Sequence, residues 1–487
     1  MKKIITDTLI IGAGPAGLAS AIELSKKKKS FIVIEKQAMV GGLSKTYEFK
    51  EGDLVFRTDN GPHRFFSQNS YLYDFIEELI NEKWIQVNRQ TRQYIDGKFY
   101  DYPVKILQAL KNVGIYKASL MMIDYFIAKI KYGVFRFPIN NFADYVYANF
   151  GKTLGRFNMI NYTEKIWGIP SEQIHIDWAG QRIKGLDLFS LLKNSILAMF
   201  NTKNSGKPKT LVDTFYYPES GTGLIYETIK EKLIKNGYQI MLSTEPVKIS
   251  IFKNNIKSVI CSSPEGEIEF ICNKVIESVP LKSFISLLKP QPPSKVISAQ
   301  QKLTYRSQVY LFITLNKESV TKDQWIYFPN TEIPIGRMSE MKNFSLSMCP
   351  EGTTSLFIEF FCTKGDNIWN MNKEALYEYT LKYLVSMNFI IAEEVRNYYH
   401  IRQADVYPIY DTNYKEYLNE IKKYLDKINN LYYIGRPGRF RYNNQDHSLE
   451  MGILAAKSII DGTRYDIESV GTEESYFESG TLKRTEK

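Results

Sequence analysis

The 487-residue chain holds only four cysteines and four histidines. Cys261, Cys272, Cys349 and Cys362 show no CxxC spacing and no neighbouring histidine. That argues against a metal centre or a disulfide framework and makes a reducing cytoplasm the expected location. No run of about 18 uncharged apolar residues occurs, so no transmembrane helix is predicted. The N-terminus, MKKIITDTLIIGAGPAG, has the outline of a signal peptide, but Asp7 interrupts its apolar run and its glycines suit a turn. Basic residues are dispersed and form no nucleic-acid module, so nucleic acid is not an expected partner. No internal repeat is present.

What the chain does have is aromatic and positive. Its 34 Tyr and 28 Phe fit either aromatic-lined pockets or a codon bias towards Lys, Asn, Ile and Tyr. The formal charge of +10 suits a phosphate-bearing cofactor or substrate, or an anionic membrane surface. Lys26 to Lys29, the densest basic run, fall where the first helix should end and complement its dipole. Hydrophobic residues at 44% and charged residues at 24% are ordinary for a globular protein, and the length predicts two or three interleaved domains.

Residues 4–11 are nearly all β-branched or Leu, as in a strand buried on both faces. A glycine turn, a helix (Leu18–Lys27) and a second strand (Phe31–Glu35) complete a βαβ unit. Apolar spacing predicts helices over Val104–Lys131, Phe142–Phe150, Leu188–Met199, 223–236, Lys373–Met387 and Tyr414–Asn429. Asn201–Lys209 reads as a loop. Strands are expected at Gln239–Ser243, Val247–Phe252, Ile256–Ser262, Ile268–Val279, 308–315 and 354–362. Leu431–Gly435 should lead into a closing helix, Leu449–Asp461. Leu120–Phe137 includes Asp124, Lys129, Lys131 and Arg136. It reads as an amphipathic packing helix, with a membrane-surface patch as the alternative.

Four motifs carry chemistry. In Gly12-Ala13-Gly14-Pro15-Ala16-Gly17, Gly12 permits a tight turn. Gly14 admits a pyrophosphate to the positive end of the helix, and Gly17 allows close helix–strand packing. Glu35 ends the second strand, where a carboxylate can accept hydrogen bonds from an adenosine ribose and disfavours a 2′-phosphate. Lys36 follows, and Gly41-Gly42-Leu43 offers a second glycine crossing of the kind an extended FAD requires. The second motif, Gly61-Pro62-His63, fixes an unusual loop. The third, Tyr162-Thr163-Glu164-Lys165-Ile166-Trp167-Gly168, reads by itself as a helix closed by Gly168 with Trp167 in the core. The fourth runs from Gly435 and Arg436 through Tyr442 to Asp446, His447, Ser448 and Leu449, with a helix beginning near Ser448.

The EKxxxxGG arrangement resembles the FAD-dependent amine oxidases, protoporphyrinogen oxidases and galactopyranose mutases. The Gly-Pro-His and Tyr-Thr-Glu-Lys-x-Trp-Gly segments are similar to those of the mutases. The resemblance implies FAD as cofactor, with His63 near the flavin. It places Tyr162 against a substrate diphosphate, Trp167 beside the nucleotide, and Arg182 and Arg337 as a guanidinium pair on the same diphosphate. From the residues alone, Arg182 is equally a helix-surface ion-pair former. Tyr407 and Tyr442 extend the implied pocket, and Val247 joins the implied cofactor contacts. Asn444 stands where mutases carry an acid, Phe66 replaces a second histidine, and His447–Gly452 is closer to the protoporphyrinogen oxidases.

The expected fold is α/β, with a discontinuous Rossmann-like FAD domain at 1–95, 216–298 and 402–465. A helical insertion (96–215), a mixed β-sheet substrate region (299–401) and a polar tail (466–487) complete the division. The expected activity is that of a cytoplasmic flavoenzyme acting on a nucleotide sugar by mutase-like chemistry, in surface polysaccharide metabolism. The alternative is an oxidoreductase that removes hydride from a C–H or C–N centre.

Overall fold

Thr8 to Ile11, the end of the first strand (Lys2–Ile11), are buried on both faces. Ile10 joins one core and Leu9 and Ile11 the other, so a core covers each face, while Gly266–Glu277 and Phe31–Ile34 pair in parallel along the strand's two edges. The computed structural model describes residues 1–67, 69–102, 106–182 and 214–471, leaving out the side chains of 82, 106, 107 and 180–182. The predicted helix Leu188–Met199 and the loop Asn201–Lys209 lie outside the described residues.

Among the described residues, eight strands form the first sheet. Gln239–Met241 and Leu431–Tyr433 extend its parallel part, while Glu245–Phe252 and Asn255–Ser263 form an antiparallel meander into Gly266–Glu277. Gly12, Glu35, Ser278 and Gly435 therefore gather outside the carboxyl ends of the parallel strands, where ligands bind in open α/β sheets. The first helix (Pro15–Lys26) and the closing helix (Gln445–Asp461) pack through small residues. A Cβ at Gly17 would stand 2.0 Å from Gly12 O, and one at Gly452 would stand 2.1 Å from Ala16 O. Ser20 Oγ donates to Gly452 O at 3.0 Å across the same contact.

The second sheet runs in the order Val395–Pro408, Tyr305–Leu315, Thr354–Cys362, Arg337–Glu340, Trp325–Tyr327, Thr91–Ile95, Lys98–Asp101. Tyr305–Leu315 is buried throughout. Its odd positions, Val309 to Leu315, join a core that includes Leu376 and Leu384 of the helix Lys373–Ser386. Its even positions, Tyr310 and Phe312, face a different aromatic core. The expected α/β architecture, with a Rossmann-like unit and a mixed second sheet, is what the chain forms.

Two expectations need correction. The single helix over Val104–Lys131 is two helices, Ile106–Val113 and Ile115–Ala128, because Gly114 takes φ +80° between them. A π-helical turn, Lys129–Val134, follows the second. The closing helix begins at Gln445 rather than near Ser448: extended Asn444 stands at its N-cap, and Asn444 N donates to His447 Nδ1 at 3.2 Å, so the His447 side chain reaches back over the first turn.

The contact at Gly452 gives a direct expectation. Gly452→Val should cost about 3 kcal/mol in chemical unfolding, because backbone lies where its side chain must go. Gly133→Ala, with nothing within 4 Å of the added carbon, should stay within about 0.5 kcal/mol of the parent.

Candidate active site

The first glycine turn is built backbone on backbone. Gly12 (φ +102°) donates to Ile34 O at 2.8 Å, and Gly41 N donates to Ala13 O at 2.8 Å. A Cβ at Gly42 would meet Gly14 Cα at 3.1 Å, so the two glycine turns cross without side chains between them. Pro15 opens the first helix, with no side chain capping its N–H groups. Glu35 accepts from Ala13 N at 2.9 Å through one oxygen and from Gln37 N at 3.0 Å through the other, tying both turns together. Leu43 is half-buried, Val247 is exposed on the strand Glu245–Phe252, and Lys36 is exposed. Reasoning from sequence missed Lys45. It is 4% exposed, its ammonium donates to Gln37 Oε1, and burial draws its pKa down to about 8 against the pull of Glu35.

The loop from Asn60 to Phe66 hangs on Asp59, which is fully buried. Its carboxylate accepts from Thr46 Oγ1 (2.6 Å), Tyr217 OH (2.7 Å), Thr222 N (3.0 Å) and Thr222 Oγ1 (2.7 Å). Gly61 takes φ +85° and sets His63 on the site. Burial, then the guanidiniums of Arg436 and Arg337, pulls the His63 pKa down to about 3, so the imidazole is neutral at pH 7.

Opposite this loop, cross-strand register lines up the polar groups of the second sheet. Arg337 pairs with Glu359, and Glu359 pairs with Tyr310, so all three share one face. Arg337 grips Glu359 in bidentate fashion at 2.5 and 2.8 Å. Gln308 Nε2 donates to Glu359 Oε2 at 3.0 Å, and Tyr310 OH donates to Gln308 Oε1 at 2.8 Å. Arg337 thus reaches the site already paired with a carboxylate. Glu359, Gln308 and Tyr310 were not foreseen, although a lone acid inside the apolar strand TSLFIEFFC is a signal of a buried partner. Arg182 ends the helix Asp177–Arg182, and its side chain lies outside the described residues.

Arg436 donates to Asn443 O at 2.9 and 2.6 Å, and its guanidinium lies 5.1 Å from the Tyr407 ring and 5.2 Å from the Tyr442 ring. Those two rings stack at 5.5 Å. Tyr162, on the helix Asn161–Trp167, meets Tyr327 edge-on at 5.4 Å and Phe361 at 6.4 Å. Burial keeps the Tyr162 phenol protonated and pushes that of Tyr407 up to about 12. Trp167 is 1% exposed, edge-on to Trp178 at 4.7 Å, so the structure places it behind Tyr407 and Tyr442. Lys165 holds the loop before Arg337, donating to the carbonyls of Phe328, Asn330 (2.6 Å), Ile333 (2.7 Å) and Ile335 (3.3 Å).

Several buried polar atoms on the Asn60–Phe66 loop and the first turn of the closing helix have no partner among the described residues: Asn60 Oδ1, His63 Nδ1, Gln445 Oε1 and Asp446 Oδ1. With the side-chain-free glycine turns and Gly435 (φ +75°, its Cβ position 3.2 Å from Ala16 Cβ), they fit a long dinucleotide whose ring end offers hydrogen-bonding groups.

Comparisons agree. Residues 10–79 match the family of NAD(P)-binding Rossmann-like domains. The fold superposes on a reduced UDP-galactopyranose mutase with a TM-score of 0.81 at 23% identity, over 99% of both chains. It superposes on a putrescine oxidase at 0.62 and 15% identity, over 95% of this chain and 100% of the other. The chain shares its fold with both of these enzymes. In sequence, 198 residues are 27% identical to the UDP-galactopyranose mutase of Mycoplasma pneumoniae, covering 39% of this chain and 46% of that protein. A further 24% identity over 423 residues links it to the chloroplastic prolycopene isomerase of Daucus carota, covering 76% of this chain and 63% of that protein. The chain thus spans less than two thirds of the length of these curated relatives.

The depressed His63 pKa has a measurable sign. The unfolded histidine takes up a proton below about 6.5 while the folded one stays neutral to about 3, so stability present above 6.5 is lost as pH falls through that window. In His63→Gln, the slope of unfolding free energy against pH there should be shallower by about one proton.

Proposed function

We propose that this protein is an FAD-dependent enzyme acting on a nucleotide-diphosphate sugar by mutase-like chemistry, in the cytoplasm and in surface polysaccharide metabolism. The observation that carries the reading is the convergence of two guanidiniums, Arg337 and Arg436, on a neutral His63 among the phenols of Tyr162, Tyr407 and Tyr442.

The cofactor is held by Gly12, Gly14, Pro15, Ala16 and Gly17, by Glu35 and Lys36, by Gly41, Gly42 and Leu43, and by Val247. Gly61, Pro62 and His63 close over it from one side, and Gly435, Arg436 and Asp446 to Leu449 from the other. The segments 1–95, 216–298 and 402–465 form its domain, with 96–215 and 299–401 on the substrate side. Bound FAD supplies a redox-active ring that is nucleophilic when reduced. Arg337 and Arg436 place positive charge where a departing diphosphate accumulates negative charge, and Arg182 is proposed as a third cation there. Tyr162 and Tyr407 stay protonated, and together with Tyr442 they donate to phosphate or sugar oxygens. His63 is neutral and does not serve as a cationic acid at neutral pH. Trp167 backs the tyrosines rather than stacking on a base.

Arg337→Ala alone would leave Glu359 buried and unpaired, so the informative change is on the acid. Glu359→Gln should release Arg337 and tighten binding of uridine diphosphate, whereas Arg337→Lys should weaken it about tenfold or more, followed through the flavin absorbance. Unaltered affinity in both variants, or no uridine diphosphate binding by the parent, rejects the nucleotide-sugar reading. Turnover that requires prior dithionite reduction and consumes no oxidant identifies mutase-like chemistry. Bleaching by substrate with recovery in air would instead identify a hydride-removing oxidoreductase, the activity class of the fold's amine oxidase members.

A further inference from the structure

The helix Ile115–Ala128 and the π-turn after it turn Met121, Tyr125 and Ala128 inward against the helical unit. Their other face carries Tyr116, Leu120, Ile123, Ile127, Ile130 and Val134, spaced alternately by four and three residues and so aligned in one stripe. All six are exposed among the described residues, with Ile123 at 54%, Ile127 at 56% and Val134 at 71%. The chain then continues through Phe135 (69%) and Phe137 (52%), also exposed. Scattered surface apolar residues are ordinary, whereas a continuous stripe of this length marks a surface that is covered in use.

Charge identifies what covers it. Between residues 106 and 140 stand Lys111, Lys117, Lys129, Lys131 and Arg136 against a single acid, Asp124. Asp124 is turned away from the stripe, accepting from Thr153 N at 3.0 Å. Lys131 lies over the rings of Tyr132 and Phe137 at 4.9 and 5.1 Å, and Lys129 lies 5.2 Å from the Tyr125 ring. These ammonium groups lie over aromatic faces beside the stripe, and cation and ring together suit an interface between hydrocarbon and anionic headgroups. A second copy of the chain on the same face would bring these cations against their own kind. No described helix is long and apolar enough to cross a membrane, so the contact is with a surface.

We propose that this face docks the protein peripherally on a bilayer containing anionic lipid, with the Tyr116–Val134 stripe in the interface and Lys129, Lys131 and Arg136 on the headgroups. The attachment is independent of the flavin reading, since it uses none of the residues assigned to the cofactor or the substrate. The helix also lies against the rest of the helical unit: a Cβ at Gly151 would stand 2.7 Å from Tyr125 N.

The test is co-sedimentation of the purified full-length protein with vesicles of phosphatidylcholine and phosphatidylglycerol at about 3:1. The protein should pellet with these vesicles, about tenfold less with pure phosphatidylcholine, and less again at about 0.5 M salt. Ile123→Glu with Ile127→Glu should lower binding at least about tenfold with an unchanged melting temperature. Lys131→Glu with Arg136→Glu, at two exposed positions, should remove the preference for anionic lipid. Parent protein that stays in the supernatant with both vesicle types overturns the proposal. So does binding that neither double variant alters, or a light-scattering dimer that the Ile123 and Ile127 changes dissociate.

Discussion

The absence of side chains at a handful of backbone crossings is the constraint from which the rest follows. Gly17 lies close enough to Gly12 that the first helix starts directly off its strand, and Gly452 lets the closing helix settle on Ala16 and Ala19. Those two approaches bring two helix beginnings from opposite ends of the chain to the same edge of one sheet. A methyl group at either place would spread the layers by more than a rotamer change can absorb, because the opposing atoms are backbone.

On the other side of the site, register does the equivalent work. Arg337, Glu359 and Tyr310 come from three strands, yet antiparallel pairing places them in one row. Lys165 and Arg306 fix the surroundings of that row: the first gathers the carbonyls before Arg337, and the second donates to Ile166 O, Thr363 Oγ1 and Phe361 O. A Cβ at Gly168 would stand 2.6 Å from the Arg306 guanidinium, which explains why glycine ends that helix for more than its left-handed φ of 68°. The result is a cationic, aromatic, largely dry wall facing a histidine that cannot hold a proton at neutral pH.

Much of the Rossmann half was legible because its signals are local. Glycine spacing, β-branched runs and helix periodicity locate Lys2–Ile11, Pro15–Lys26 and Gly223–Lys235 to within three residues. The helix Phe142–Phe150 and the strand Thr354–Cys362 match to the residue. The substrate side was less legible because its chemistry is relational. Nothing local says that Glu359 will sit beside Arg337, or that Asp59 will collect donors from residues 46, 217 and 222. Asn444 illustrates the difference: read as a departure from a motif, it also stands at the N-cap of the closing helix, which starts one residue later. The short helices Leu281–Leu287 and Ser294–Lys302 went unforeseen, since each shows too few turns for periodicity to register.

The carboxylate of Asp59 has a temporal meaning as well as a spatial one. Its partners Tyr217 and Thr222 leave the ribosome more than 150 residues after it, and Gly452 follows far later still. A chain that has emerged as far as its first two strands can therefore hold neither its glycine-loop neighbour nor its helix partner in place. Assembly must wait for distant segments to arrive, as in other folds dominated by long-range contacts. The cleft is consequently among the last features to mature, and a truncated or stalled product carries an unfinished dinucleotide fold with its apolar strands uncovered.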